Sequence, residues 1–407
     1  MPAVTDLFIA RQPILDRGQE LFAYELLFRS GPENFFNHPD RDVASRKLIS
    51  DSMLVFGLDN LLGRHRGFIN ASRKVVLDGS LSLLPNRQAV IELLETVEGD
   101  PEVLAACRAL KEQGYLIALD DYRPRPEMEA LVDLADFIKV DFAEVKGDAR
   151  KELVDSHRRR GIQMLAEKVE TREDFEQAFD AGYEYFQGYF FARPAVVTGK
   201  DLPALKINYL RLLNEINRPE VTYDGLEAIV KQDVALSVKL LRYLNSAAFG
   251  WRAKIKSIRH ALTLLGERPI RKWVSLVALT SLAGDKPAEL IVTSLMRARF
   301  CELLAPHIRM EDRELDLFLV GLLSAVDALV DRPLAEVVKG MALSAEVRSA
   351  LTGTDSPLRD PLDLALSYER GDWPEMMRLT SRFDLDEDTV PGIYRESVAW
   401  SDALRTV

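Results

Sequence analysis

The sequence predicts an α/β barrel followed by an all-helical domain. Seven short apolar runs before residue 190 have the length and composition of buried parallel strands: FAYELLFR, GFINAS, AVIELLE, LIALDDY, DFIKVDF, QMLAEKV and YEYFQGYFF. Helix-like segments separate most of them, and repeated strand–helix units imply a parallel sheet with right-handed crossovers. About seven or eight such units in roughly 200 residues fit a closed (β/α) barrel at the small end of its size range. Beyond the breakers of PAVVTGKDLP, near Pro194–Pro203, the strand pattern stops. The expected domains are residues 1–197 for the barrel and 198–407 for the helical part.

Within the first half, PEVLAACRALKEQG reads as a helix with Asp100 as N-cap, Pro101 at its first position and Gly114 as its stop. Further helices are expected around MEALVDLA and through RKELVDSHRRRG. TREDFEQAFDAG carries Thr171 and Asp174 at capping-box spacing, with Gly182 at its end. In the second half, LPALKINYLRLLNEIN, LSVKLLRYLNSAAFG, SIRHALTLLG, PIRKWVSLVALTSLAG, ELIVTSLMRARFCELLAPHI and LDLFLVGLLSAVDALV all show helical periodicity.

Composition narrows the function classes. The 407 residues are 47% hydrophobic, an ordinary globular content. No apolar stretch reaches the ~20 residues that span a bilayer, and MPAVTDLFIARQPIL lacks the features of a signal peptide. The two cysteines, Cys107 and Cys301, read as reduced core thiols, so the expected location is cytoplasmic. A net charge of -11 argues against a nucleic-acid polymer as partner.

The apolar runs carry polar residues where a buried strand normally has none. These are Glu25, Asn70, Glu92, Asp120 with Asp121 beside it, Lys139, Glu167 and Gln187. An unpaired charge inside a sheet is costly. Any one of these residues alone reads as a satisfied strand end. Taken together on successive runs, they predict an acidic site at the C-terminal end of the barrel. Oxygen ligands of this kind suit Mg²⁺ or Mn²⁺. Two such ions would activate a water and steady the leaving oxygen of a phosphodiester, with Lys139 as a compact positive charge beside them.

These segments resemble the EAL domain of bacterial cyclic di-GMP phosphodiesterases, over nearly all of residues 6–195. YELLFR stands at the family's name motif, which makes Glu25 the matching metal ligand and Arg29 the matching phosphate contact. FINAS matches through Asn70, IELLE through Glu92 and Glu95, and LDD through Asp120 and Asp121. IKVD supplies Lys139 and Asp141, AEKVET supplies Glu167 and Glu170, and QGY supplies Gln187. The resemblance implies a TIM-type barrel, a metal set of Glu25, Asn70, Glu92, Asp120, Asp121 and Glu167, and catalytic roles for Lys139, Glu167 and Glu25. It assigns Arg29, Gln187, Glu95 and Asp141 to ligand binding.

The sequence departs from the family's pattern in two places. The glycine-rich loop usual after the aspartate pair is Tyr122-Arg123-Pro124-Arg125-Pro126, and prolines cannot follow a path built for glycine. The side chain that meets Glu95 from that loop is also missing. Arg123 and Arg125 read as surface residues, or as stand-ins for a metal ion's charge. The glycine usual after the glutamate of QMLAEKV is Lys168.

LSVKLLRYLNSAAFG, IKSIRHALTLLG and GLLSAVDALV resemble the HDOD domain, a helical relative of HD-type phosphohydrolases. Ser324-Ala325-Val326-Asp327 has no histidine beside its aspartate, and His260 and His307 are isolated. The expectation is a module without metal or chemistry that meets a protein partner. The whole chain thus resembles EAL–HDOD signalling proteins, with cyclic di-GMP as ligand and Mg²⁺ or Mn²⁺ as cofactor if active. Hydrolysis, binding without hydrolysis, a scaffold that binds no nucleotide, and a homodimer all stay open at this point.

Overall fold

The computed structural model describes residues 7–30, 58–192, 204–218, 224, 227, 259–260, 266–283, 286–386 and 388–405. By internal contacts the chain divides into two units, Met1–Phe191 with Ser367–Met377, and Ala192–Leu366 with Arg378–Val407.

The first unit is a closed barrel of eight strands in chain order. They are β1 (Leu7–Asp16), β2 (Leu21–Ser30), β3 (Arg66–Ala71), β4 (Ala89–Leu93), β5 (Leu116–Leu119), β6 (Phe137–Asp141), β7 (Gln163–Glu167) and β8 (Tyr185–Gln187). The seven expected runs form β2 to β8. The strand β1 was not among them, because Arg11, Gln12 and Pro13 interrupt its apolar character. It also departs from the all-parallel expectation, pairing antiparallel with both β2 and β8. The reason is the short link to β2. Asp16 and Glu20 close a tight turn, with Asp16 N donating to Glu20 O at 2.9 Å, and a turn this short cannot carry the chain back for a parallel crossover.

The outer helices form where their caps place them. Asp100 accepts from the backbone N–H of Glu102 and Val103 at the start of Pro101–Glu112. Thr171 and Asp174 close a reciprocal capping box on Arg172–Ala181, and Gly182 ends it at φ 101°. The segment expected as a helix around MEALVDLA is shorter, a 3₁₀ turn over Pro126–Met128 running into Glu129–Val132. Ser367–Met377 also belongs to this unit. Ile9 N donates to the Tyr368 hydroxyl at 3.3 Å, and the Phe8 and Trp373 rings lie 6.1 Å apart.

A buried layer fills the barrel: Ile14, Ala23, Phe68, Val90, Ala118, Phe137 and Leu165. Side chains two positions apart share a strand face. Two residues past the layer on β2, β3, β4, β6 and β7, the same faces carry Glu25, Asn70, Glu92, Lys139 and Glu167. Asp120 follows Ala118 past the end of β5, and Gln187 follows Tyr185, which packs against the layer from β8. Strand pairing aligns them further, Asn70 beside Glu92, Asp141 beside Glu167, and Gln187 opposite Ile14.

In the second unit the described elements are helical, including Ala204–Ile216, Glu267–Leu282, Ala288–Leu304, Glu314–Leu323 and Thr389–Arg405. Leu317, Phe318, Val320 and Leu322 are buried with Leu290, Ala298, Phe300 and Cys301. Gly321 permits a close helix approach, since a Cβ there would stand 2.3 Å from the Arg297 carbonyl oxygen. The segments LSVKLLRYLNSAAFG and most of SIRHALTLLG lie outside the described residues. Both cysteines are buried, and no described helix is long and apolar enough to cross a membrane.

Candidate active site at the barrel mouth

Lys139 is the centre of the site. It rises from β6 with its side chain 1% exposed and pairs with four carboxylates. Its Nζ donates to Glu25 Oε2 at 3.2 Å, to Asp120 Oδ1 at 3.2 Å and to Glu92 Oε1, and lies 2.6 Å from Glu167 Oε1. Four carboxyl groups converge on one ammonium in a nearly dry site, more acid than a single cation can balance if all ionise. Burial and the neighbouring Glu25 push the Glu92 carboxyl well above the usual carboxylate range. Glu167 is pushed up to about 8, mainly by burial, against the pull of Lys139. Burial acts the same way on Asp120, but the Lys139 ammonium and hydrogen bonds outweigh it and hold Asp120 low.

Gln187 Nε2 donates to Glu25 Oε2 at 2.6 Å and to Gln12 Oε1 at 3.0 Å. Asn70 Nδ2 donates to Glu25 Oε1 at 3.1 Å. Both amides thus spend their N–H groups on neighbours and leave their oxygens unused. Four buried acceptors at this mouth have no hydrogen-bond donor: Asn70 Oδ1, Glu92 Oε2, Asp121 Oδ1 and Gln187 Oε1. A buried polar atom left without a partner is costly. One carboxylate oxygen from each of Glu25, Glu92 and Glu167 lies within 4.8 Å of the others. Excess negative charge and unsatisfied oxygens together fit a hard divalent cation.

The remaining expected residues fall around this centre. Asp121, half-exposed at φ 40°, turns the chain between two ladder bonds, Asp120 N to Leu93 O at 2.9 Å and Tyr122 N to Lys139 O at 3.0 Å. Burial and the adjacent Asp120 raise its carboxyl. Asp141 is buried. Its Oδ1 accepts from Ala143 N at 2.6 Å and Glu144 N at 3.2 Å, and its Oδ2 from Lys168 Nζ at 2.5 Å. Glu95 is exposed and stands outside the carboxylate group, although its backbone carbonyl accepts from Arg125 at 3.1 Å. Arg123 pairs with Glu144, so neither loop arginine stands among the carboxylates. The side chain of Arg29 lies outside the described residues.

The chain is similar to known proteins over nearly its whole length. The EAL domain family model matches residues 41–194 and the HDOD domain family model matches residues 202–347. The protein named cyclic di-GMP phosphodiesterase CdgJ, from Vibrio cholerae serotype O1, is 36% identical over 400 residues, covering 98% of this chain and 93% of its own. This chain belongs to the EAL–HDOD family. The uncharacterized protein YuxH of Bacillus subtilis is 33% identical over 406 residues, covering 98% of each chain. The crystal structure of an EAL domain protein from Listeria monocytogenes EGD-e, 20% identical, covers 46% of this chain and 87% of its own, with a TM-score of 0.38.

Sequence reasoning missed one polar residue of this EAL barrel mouth. Gln12 faces Gln187 from β1, and the signal was a glutamine inside LFIARQPIL. The strand's direction hid it, because in an antiparallel strand the mouth position comes two residues before the layer residue Ile14 instead of two after.

Proposed function

We propose that the EAL barrel binds cyclic di-GMP at this mouth and hydrolyses one phosphodiester bond with Mg²⁺ or Mn²⁺. The observation that carries the reading is the set of unpartnered oxygens of Asn70, Glu92 and Gln187 beside the converging carboxyl groups of Glu25, Glu92 and Glu167. The name of CdgJ, similar along nearly the whole chain, supports the choice of ligand. Glu25, Asn70, Glu92 and Glu167 would hold the cation, with Asp120 at their edge. When bound, it supplies charge neutralisation and Lewis-acid polarisation of the phosphodiester.

The chain's own residues do the rest. Lys139 keeps four carboxylates converged that would otherwise repel one another. Glu167, through the carboxylate oxygen that the cation leaves free, takes a proton from the attacking water. The new P–O bond forms as the bond to the leaving ribose oxygen breaks, and that oxygen takes a proton from solvent, giving the linear dinucleotide. Gln187 and Asn70 fix Glu25 through their N–H groups, so its orientation is set before substrate arrives.

The helical part, residues 198–407, is read as the relay to a protein partner or a second copy of the chain. The HDOD match and the missing histidine beside Asp327 support that role. A receptor that binds without cutting is the second reading, favoured by the proline-bearing loop after Asp121. The test is calorimetric titration of the purified chain with cyclic di-GMP, with and without Mg²⁺ or Mn²⁺, followed by chromatography for the linear product. Product that disappears in Glu25→Ala supports the enzyme, and tight binding without product supports the receptor. Neither binding nor product would sink both.

A further inference from the structure

Lys168 is held in an unfavourable backbone conformation and spends it on a charge contact. Its φ is 53°, in the left-handed region that costs a residue with a Cβ roughly 1–2 kcal/mol. Asp121, across from it, is also left-handed at φ 40°. They follow β7 and β5, the strands on either side of β6. The result aims Lys168 Nζ at Asp141 Oδ2, 2.5 Å away, and at Asp121 Oδ1, 4.0 Å away. Strain at a site of this kind points to a role.

The two sides of the mouth differ in charge. On the Glu25–Glu92–Glu167 side, four carboxyl groups converge on the single ammonium of Lys139. On the other side, two carboxyl groups stand near one ammonium: Lys168 bonds Asp141 and lies 4.0 Å from Asp121 without a hydrogen bond to it. An exposed ion pair is ordinarily weak, and the Lys168 side chain is 56% exposed. Asp141, however, is 6% exposed on its side chain, and a buried carboxylate is held strongly to its counterion. Its other oxygen is already taken by the N–H groups of Ala143 and Glu144.

We infer that Lys168 is a tethered cation that neutralises the Asp121–Asp141 side, so the mouth takes a single divalent ion on the Glu25–Glu92–Glu167 side. This rests on the metal-binding reading above. It revises the two-ion arrangement expected from the carboxylate pattern, and it gives Lys168 the charge-replacing role first considered for Arg123 and Arg125.

The experiment is Mn²⁺ titration of the chelator-stripped full chain, by calorimetry and by electron paramagnetic resonance. The parent is expected to bind one ion, with the hyperfine pattern of an isolated Mn²⁺. Lys168→Gly suits the positive φ without strain and should keep the fold. It is expected to bind a second ion about tenfold or more tighter than the parent does, with the spectrum of a coupled pair. Lys168→Met keeps the length without the charge and should also admit the second ion. Two ions in the parent would overturn the inference while leaving the metal reading intact. One ion in all three proteins, or a second ion in the glycine variant alone, would equally overturn it. No ion in any of them would remove the metal reading and this inference together.

Discussion

The Tyr122 hydroxyl lies 3.2 Å from Nε2 of His157, and both side chains are buried. His157 Nδ1 is 2.8 Å from the Leu153 carbonyl oxygen. That oxygen can only accept, so Nδ1 donates to it, and in the neutral ring Nε2 accepts from the tyrosine. The rings also meet edge to face at 5.1 Å. The first residue of the proline-bearing loop is thus pinned to helix Ala149–Arg158. Tyr122→Phe should cost about 1–2 kcal/mol, because it leaves a buried nitrogen without its donor. Urea denaturation measures the loss, and amide exchange in residues 122–126 should speed up. An unchanged midpoint would show that the hydrogen bond does not hold the loop.

Gly188 is where two segments of the mouth touch. Its φ is 142°, and a Cβ there would stand 2.2 Å from the Val169 carbonyl oxygen. Val169 N donates to Gln187 O, and Phe190 N to Val169 O. Gly188→Ala should therefore push apart Lys168–Val169 and Gln187, costing about 3 kcal/mol and weakening Mg²⁺ binding. Thermal melting and a metal titration on the same sample check both effects. A variant with the parent's Tm and metal affinity would show that the contact relaxes freely.

Lys139→Met tests the central charge. Four carboxylates would lose their shared ammonium, and breaking a buried pair this way costs about 3–5 kcal/mol. Mg²⁺ should restore part of that stability, by supplying positive charge where the ammonium was. Equal stability of variant and parent without metal would count against the paired state of these groups.

The pH dependence follows from Glu167 and Glu92. A carboxyl raised on folding stabilises the fold while it holds its proton. That contribution is complete below its ordinary value of 4.5 and is lost as pH rises through the folded value, about 8 for Glu167. The metal-free chain should lose Tm between about pH 5 and about pH 8.5. Mg²⁺ competes with those protons, so it should raise Tm more at about pH 8.5 than at about pH 6. A metal-induced shift of the same size at both pH values would contradict this assignment.

In the helical unit, Gly321→Ala places a methyl against the Arg297 backbone, where Ala288–Leu304 meets Glu314–Leu323. The expected loss is about 2–3 kcal/mol, read by denaturation of the full chain. The cyclic di-GMP binding proposed for the barrel is expected to persist. A variant as stable as the parent would mean that the two helices separate at no cost.

Much of the barrel was legible in the chain. A strand repeats every two residues, so a polar residue two positions past a core residue announces itself in FAYELLFR or DFIKVDF without any knowledge of its partners. Helix ends were legible for a similar reason, since Asp100 and the Thr171–Asp174 pair act on backbone groups within three residues. Such signals are local. Closure of the barrel is not local. Lys139 and Glu25 meet across 114 positions, and no periodicity states that they share one ammonium. The tight turn from Asp16 to Glu20 set β1 antiparallel, but only tertiary structure turned Gln12 toward Gln187. It also brought Lys168 to Asp121 and Asp141, because a left-handed backbone angle and a long side chain decide that contact only once β5, β6 and β7 lie side by side.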